Sequence, residues 1–279
     1  MRVLLVNNFV RHGSGVDRMV RLEQAFLSAH GHDVHLVARD NASFDSARPL
    51  AAAALRASCL YSPGARRDVA ARLSGGPFDV VHVYNTVPLV TGAVYDALRH
   101  TQALVVSHLH DYRAFCPAAY AFRNDADCDL CTRSLFFGCT VYRCYRDSLL
   151  ESAGLTTARL IDAARGRRFG AAPHAYVACS RHVKDEHVAR GLPAARVAVV
   201  HNGVADPDPE GVRRGRTGLI ADFFDTTATA QRVRSLWDDR PARDAMRRAA
   251  RTAFEERFCT DVFGRNLVTA LEQLGRSRP

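Results

Sequence analysis

Ser107-His108-Leu109-His110-Asp111 sets two imidazoles and a carboxylate at the end of the apolar run Ala103–Val106. An imidazole titrates near neutrality, so it can move a proton or hydrogen-bond a substrate hydroxyl. His108 and His110 are the candidates for that role, and Asp111 is a candidate substrate-binding group beside them. A lone histidine is as readily a satisfied structural residue. The exit of a parallel strand is where such sheets bind ligands, and that position favours the functional reading. Of His108 and His110, only one is expected to face the crevice.

A second group follows at once: Cys116, Cys128, Cys131, Cys139 and Cys144. The pair Cys128-x2-Cys131 with Cys139 and Cys144 suits tetrahedral zinc. Four thiolates would saturate the ion and leave no open position, so its role would be structural. Cys116, before Pro117, is a spare or alternate ligand. Buried free thiols are the plain alternative, and a [4Fe–4S] cluster a more distant one. The evenly spaced double knuckle that marks zinc most strongly is absent.

A third group is Gly13-Ser14-Gly15, with Asp17 two residues later. Glycines at a strand-to-helix turn can serve an anion held by the helix N-terminus. They can equally serve a tight turn. The spacing falls short of the dinucleotide fingerprint.

These groups need a scaffold, and the periodicities supply one. Arg2–Asn7 reads as a buried strand, and Val16, Met19, Val20, Phe26 and Leu27 as one face of a helix closed by Gly31. Val34–Ala38, Phe78–Tyr84, 103–108, Ala175–Cys179 and Val197–His201 read as further strands. Helical patterns lie between them at 63–73, 87–98, 150–164 and 181–190. Strands separated by helices imply a Rossmann-like α/β fold, a parallel sheet with helices on both faces.

The length of 279 residues allows one or two domains. With 47% hydrophobic and 24% charged residues the composition is that of an ordinary globular chain. Lys and Arg number 38 against 29 Asp and Glu, a net charge of +9. That balance favours phosphorylated or acidic partners, or is a solvated arginine-rich surface. The first apolar run ends at Val6, too short for a signal peptide, and none approaches the roughly 18 residues that span a bilayer. A cytoplasmic location is expected, with candidate peripheral contact to the inner membrane face. In that compartment eight cysteines are more readily free or metal-bound than paired.

Taken in order, several motifs resemble a known family: Gly13-Ser14-Gly15-Val16-Asp17, His30-Gly31-His32-Asp33-Val34, Phe78-Asp79-Val80-Val81-His82-Val83, His108-Leu109-His110-Asp111-Tyr112 with Cys116-Pro117, Arg143-Cys144-Tyr145-Arg146, Val177-Ala178-Cys179-Ser180 and His201-Asn202-Gly203-Val204. The set is similar to the N-terminal half of family 4 retaining glycosyltransferases of the GT-B fold, some of which carry the same cysteine-rich insert. The resemblance spans 1–204. It implies transfer of a sugar from a nucleotide-sugar donor with retention of configuration, and needs no metal for catalysis. It makes His110 the contact to the transferred sugar. Gly13, Ser14, Gly15 and Asp17 become the loop near the donor phosphates, with Asp17 where the family more often has Glu. Asn202 and Gly203 become the crossing into the second domain.

The implied organisation is an N-terminal Rossmann-like domain over 1–203, with its insert at about 112–148. A Pro/Gly-rich linker follows at 204–216, then a C-terminal helical remnant over 217–279. The family's second domain grips the nucleotide with an Arg, a Lys and two glutamates seven residues apart. No such glutamate pair is present, and Glu255 and Glu256 fall in a late helical stretch. Most of the donor domain is therefore expected to be missing. Arg213, Arg214 and Arg216 read as linker charge.

Three functions compete. The first is a glycosyltransferase acting on a glycan, lipid-linked or small-molecule acceptor, its donor site minimal or completed by a partner chain. The second is a non-catalytic acceptor-binding or assembly module. The third is a basic zinc-containing nucleic-acid binder. No nucleic-acid partner is expected, because no stacking set or recognition-helix pattern accompanies the cysteines.

Overall fold

A computed structural model of the chain describes residues 1–10, 13–44, 55–165, 174–203, 217–219 and 225–276. The expected linker at 204–216, with its arginines, lies outside them. Two compact units are present, one of residues 1–200 with 269–279 and one of residues 201–268.

The first unit is built on a six-stranded parallel sheet. Its strands are β1 (Arg2–Phe9), β2 (Asp33–Asp40), β3 (Val80–Val83), β4 (Leu104–Leu109), β7 (Ala175–Ala178) and β8 (Val197–Val199). A short antiparallel ribbon, β5 (Phe122–Arg123) and β6 (Ala126–Asp127), stands apart from it. The main order is β2-β1-β3-β4-β7-β8, a doubly wound sheet whose strand order reverses beside β1. The Rossmann-like α/β architecture read from the sequence is the one observed. Inner strands have no solvated face, which is why β1 and β3 are buried along almost their whole length. Edge strand β2 carries the mixed pattern Asp-Val-His-Leu-Val-Ala-Arg-Asp.

Serine caps fix where the helices begin. Ser14, Ser62, Ser148 and Ser180 each accept a backbone N–H from the first turn of α1 (Gly15–Ala29), α2 (Pro63–Ser74), α6 (Leu149–Ala164) and α7 (Arg181–Ala189). Each such cap contributes about 1 kcal/mol. Pro63 adds its preset φ at the first position of α2.

The expected helix at 87–98 shortens to α3 (Val94–Ala97). Of the stripe Val87, Val90, Val94, Ala97 and Leu98, the residues Val90, Val94 and Leu98 are buried and Val87 and Ala97 partly so. Thr91, however, takes φ +58°, a left-handed conformation that no helix continues through.

Alternation along the strands sorts side chains onto two faces. Leu4, Val6, Val81, Val83 and Val105 join the apolar core on one face. Asn7, His82 and His108 therefore lie on the other, where Asp17 and Glu23 of α1 meet the first two.

Between β4 and α6 the chain makes two short helices, α4 (Leu130–Arg133) and α5 (Phe137–Val141). The second unit holds α8 (Thr226–Asp238), α9 (Arg240–Arg257) and the first turns of α10 (Thr260–Arg276). Ala250, Ala253, Phe254, Phe263 and Leu267 are among its buried side chains, while Trp237 on α8 is exposed. The final turns of α10 belong to the first unit, where Gly275 lies against Leu104 of β4. No helix among the described residues is long and apolar enough to cross a membrane.

Candidate active site

The exits of β1, β3 and β4 are tied together by polar side chains. Asn8 N–H donates to the carbonyl of Asn85 at 2.8 Å, and Asn85 Nδ2 returns a bond to the carbonyl of Asn8 at 3.0 Å. Asn7 Oδ1 accepts Asn85 N–H at 3.2 Å, and Asn7 Nδ2 donates to Asp17 Oδ1 at 3.0 Å. Arg113, beyond β4, donates to Asn85 Oδ1 at 3.4 Å and sits 3.2 Å from Asp111 Oδ2. His110 Nε2 lies 3.4 Å from the same Asp111 oxygen. A continuous chain therefore runs from Asp17 through Asn7, Asn85, Arg113 and Asp111 to His110.

His110 stands one residue past β4. Its Nδ1 is shielded from solvent and has no hydrogen-bond partner among the described residues. Asp111 and Arg113 keep part of their side chains exposed. A partly exposed Arg–carboxylate pair beside an imidazole offers both donors and acceptors to a polar ligand. The expectation that only one of His108 and His110 faces this side is wrong. Positions two apart in a strand share a face, and the two rings stack with centroids 6.1 Å apart.

Behind His110 the stack continues inward. His108 lies 4.4 Å from Tyr84 and 5.4 Å from His82. His82 Nδ1 is 3.0 Å from each carboxylate oxygen of Glu23, and the Tyr84 hydroxyl donates to that carboxylate as well. Burial, with His82 and His110 adding positive charge, holds the His108 pKa well below 6.5. Burial beside the Glu23 carboxylate lifts the Tyr84 phenol well above 10, so it stays a donor.

Sequence reasoning passed over Glu23, His82, Tyr84, Asn85 and Arg113 as site residues. Two signals were present. Glu23 occupies a stripe position of α1, between Met19 and Phe26, and His82 interrupts the strand Val-Val-His-Val.

The glycine loop opens at the same edge of the sheet, after β1. Gly13 has φ +72°, which glycine adopts without strain. Gly15 has ordinary φ, and a Cβ there would meet nothing within 4 Å. Both are exposed beside the first turn of α1. Asp17 is placed differently from a phosphate-side group. It is buried, one oxygen accepting from Asn7 and the other from Val10 N–H at 3.1 Å. It clamps the loop from inside. Asn202 is exposed and Gly203 buried, both in the second unit.

Among the cysteines, Cys116, Cys128, Cys131 and Cys144 line one cavity of about 130 Å³. Cys139 does not; it is fully buried. A hydrogen bond from the Cys131 thiol, followed by backbone hydrogen bonds, lowers the Cys116 pKa to about 6 against its burial. Burial raises Cys139 to about 11. Among the described residues no three His, Cys, Asp or Glu side chains are already arrayed as a metal site.

The family model described as Glycosyltransferase Family 4 matches residues 13–206, more than half of the chain. No curated protein matches the chain.

Proposed function

This chain belongs to glycosyltransferase family 4, and on that premise we propose that it transfers a sugar from a nucleotide-sugar donor to an acceptor with retention of configuration. The observation that carries the reading is His110 at the exit of β4, linked through Asp111, Arg113 and Asn85 to the loop ahead of α1.

The reaction would use that arrangement as follows. The exposed turn into α1, with Ser14 and Gly15, offers backbone N–H groups to the diphosphate, where the helix dipole favours negative charge; the Gly13 N–H is already donated to the carbonyl of Val10 and shapes that turn. As the nucleotide diphosphate leaves, positive charge builds at the anomeric carbon. His110 hydrogen-bonds the transferred sugar, and Asp111 lies on the same side with negative charge. Fixed groups of this kind stabilise a transition state without reorganising. No metal is needed at the transfer step. Asn202 and Gly203 would mark the crossing toward the donor side, which a partner chain completes if this chain alone does not.

Titration with UDP- and GDP-sugars, followed by hydrolysis and transfer assays, tests the reading. Donor hydrolysis lost in His110→Ala is the expected result. Failure of any nucleotide sugar to bind at millimolar concentration, alone or with partner proteins, would end it. A second reading, a non-catalytic acceptor-binding module, is favoured by the missing glutamate pair; it predicts glycan binding without nucleotide binding.

A further inference from the structure

Four cysteines of the insert face one cavity, and they are not the four that spacing selects. Cys116, Cys128, Cys131 and Cys144 line it together with Arg123 and Tyr142. Cys139 is fully buried and outside the lining; its thiol is directed at the carbonyl of Ser152 at 4.0 Å, as those of Cys131 and Cys144 are at the carbonyls of Phe136 and Gly138 at 3.7 and 3.9 Å. We propose that Cys116, Cys128, Cys131 and Cys144 bind one zinc ion as a closed structural site, with Cys139 as a hydrogen-bonding neighbour and not a ligand.

Three observations support this set. The residues are already gathered: Cys116, Cys131 and Cys144 belong to one packed cluster of side chains. Their surroundings suit negative charge. The Arg123 guanidinium, 3.9 Å from the Tyr142 ring, adds a positive charge at the cavity.

The third observation is that the insert cannot hold itself. Its buried side chains form two small clusters, Ala118, Cys131, Phe136 and Cys139 in one and Ala114, Phe115 and Ala121 in the other. Tyr120, Phe122, Leu135, Phe137 and Val141 are exposed. Nine of the ten non-glycine residues with positive φ among those described lie between Ala119 and Asp147. Left-handed backbone costs roughly 1–2 kcal/mol per residue, and segments below about 40 residues usually need a staple. Zinc would supply it. The ion replaces the protons of the four thiols, which turn from one another toward it, and no electron is exchanged. Four sulfurs leave no open position for substrate.

The test uses the full chain, purified in reducing buffer without chelator. Elemental analysis should give about one equivalent of zinc in the wild type, by the ligand count of such sites. Cys139→Ser should keep it, and Cys116→Ser and Cys144→Ser should lose it. Less than half an equivalent in the wild type overturns the site. Full zinc in Cys116→Ser, or its loss in a folded Cys139→Ser, overturns the ligand set. Because a variant can fail to fold, wild-type protein is also alkylated with and without chelator and mapped by mass spectrometry. Cys116, Cys128, Cys131 and Cys144 should become reactive together when zinc is removed. Equal labelling of those four under both conditions, or a Cys116–Cys131 disulfide in the reduced protein, overturns the proposal.

Discussion

Glu23 and His82 meet in the centre of the first unit, 3.0 Å apart and both fully excluded from water. They come from different elements, α1 and β3. The Tyr84 hydroxyl shares the same carboxylate. A buried carboxylate is tolerable only because both of its oxygens are occupied. Glu23→Ala leaves His82 Nδ1 and the Tyr84 hydroxyl unpartnered and should destabilise the protein by about 3–5 kcal/mol. Glu23→Gln keeps one acceptor and should cost about 1–3 kcal/mol. Urea unfolding followed by circular dichroism measures both, and equal losses would contradict the pairing.

The ring stack makes stability depend on pH. His108 and His187 both have pKa values held below 6.5 by burial. Below pH 6.5 the unfolded chain takes up protons that the native imidazoles refuse, so stability falls as pH drops beneath that point. Tyr84 acts at the other end: the unfolded phenol ionises near pH 10 while the native one does not, so stability falls again above that pH. Thermal midpoints across pH 5–11 should be highest between these limits, an estimate set by the ordinary pKa values of roughly 6.5 and 10. His108→Phe should flatten the acid limb. An unchanged slope in that variant would show that His108 does not contribute.

The two loop glycines separate structure from binding. Gly13→Ala must hold φ +72° with a Cβ and should lose about 1–2 kcal/mol of stability. Gly15→Ala has room in the free protein and should unfold at the same denaturant concentration as the wild type. Weaker nucleotide-sugar binding in Gly15→Ala would then report a ligand close to that backbone. Unaltered affinity would place the phosphates elsewhere. Calorimetric titration of folded Gly15→Ala decides it.

At His110 the outcome expected is kinetic. His110→Ala should lower kcat about 10²–10³-fold, the range for loss of a preorganised transition-state contact. Donor affinity should change little, because the phosphates are assigned to α1. Asp111→Asn should lower kcat less, since the imidazole keeps a hydrogen-bonding neighbour. A rise in KM at constant kcat for His110→Ala would recast it as a binding residue only.

Gly92 has a purely steric requirement. A Cβ there would approach the Asp162 carboxylate to 1.9 Å, and Asp162 is fixed 3.1 Å from Arg159. Gly92→Ala should cost about 1–3 kcal/mol, visible as a lower thermal midpoint. Asp162→Ala should relieve the clash in the double variant.

The scaffold was legible in the sequence because its signals are local. Gly31 and the serines ahead of α1, α2, α6 and α7 punctuate helices, and continuous apolar runs such as Val3–Val6 mark inner strands. The 87–98 stretch was misread because burial of Val90, Val94 and Leu98 mimics a helical stripe where a left-handed Thr91 breaks the chain. The site was only partly legible for a different reason. His110 and the glycine loop announce themselves by motif. Glu23, Tyr84 and Asn85 acquire their roles from pairings 59 to 78 residues away in sequence, which no local pattern encodes. The cysteines show the same limit: spacing counts residues, and only the folded insert sets Cys116 at the cavity and Cys139 outside its lining.

The closing turns of α10 have a consequence for the order in which the protein is made. Residues 269–276 share a compact unit with residues 1–200. All six strands of the sheet leave the ribosome before that helix does. The sheet must therefore wait, with the side of Leu104 that meets Gly275 uncovered, until translation has passed through residues 201–268. Ribosome-bound chains stalled before residue 269 should be more protease-sensitive in the sheet than chains stalled well after it.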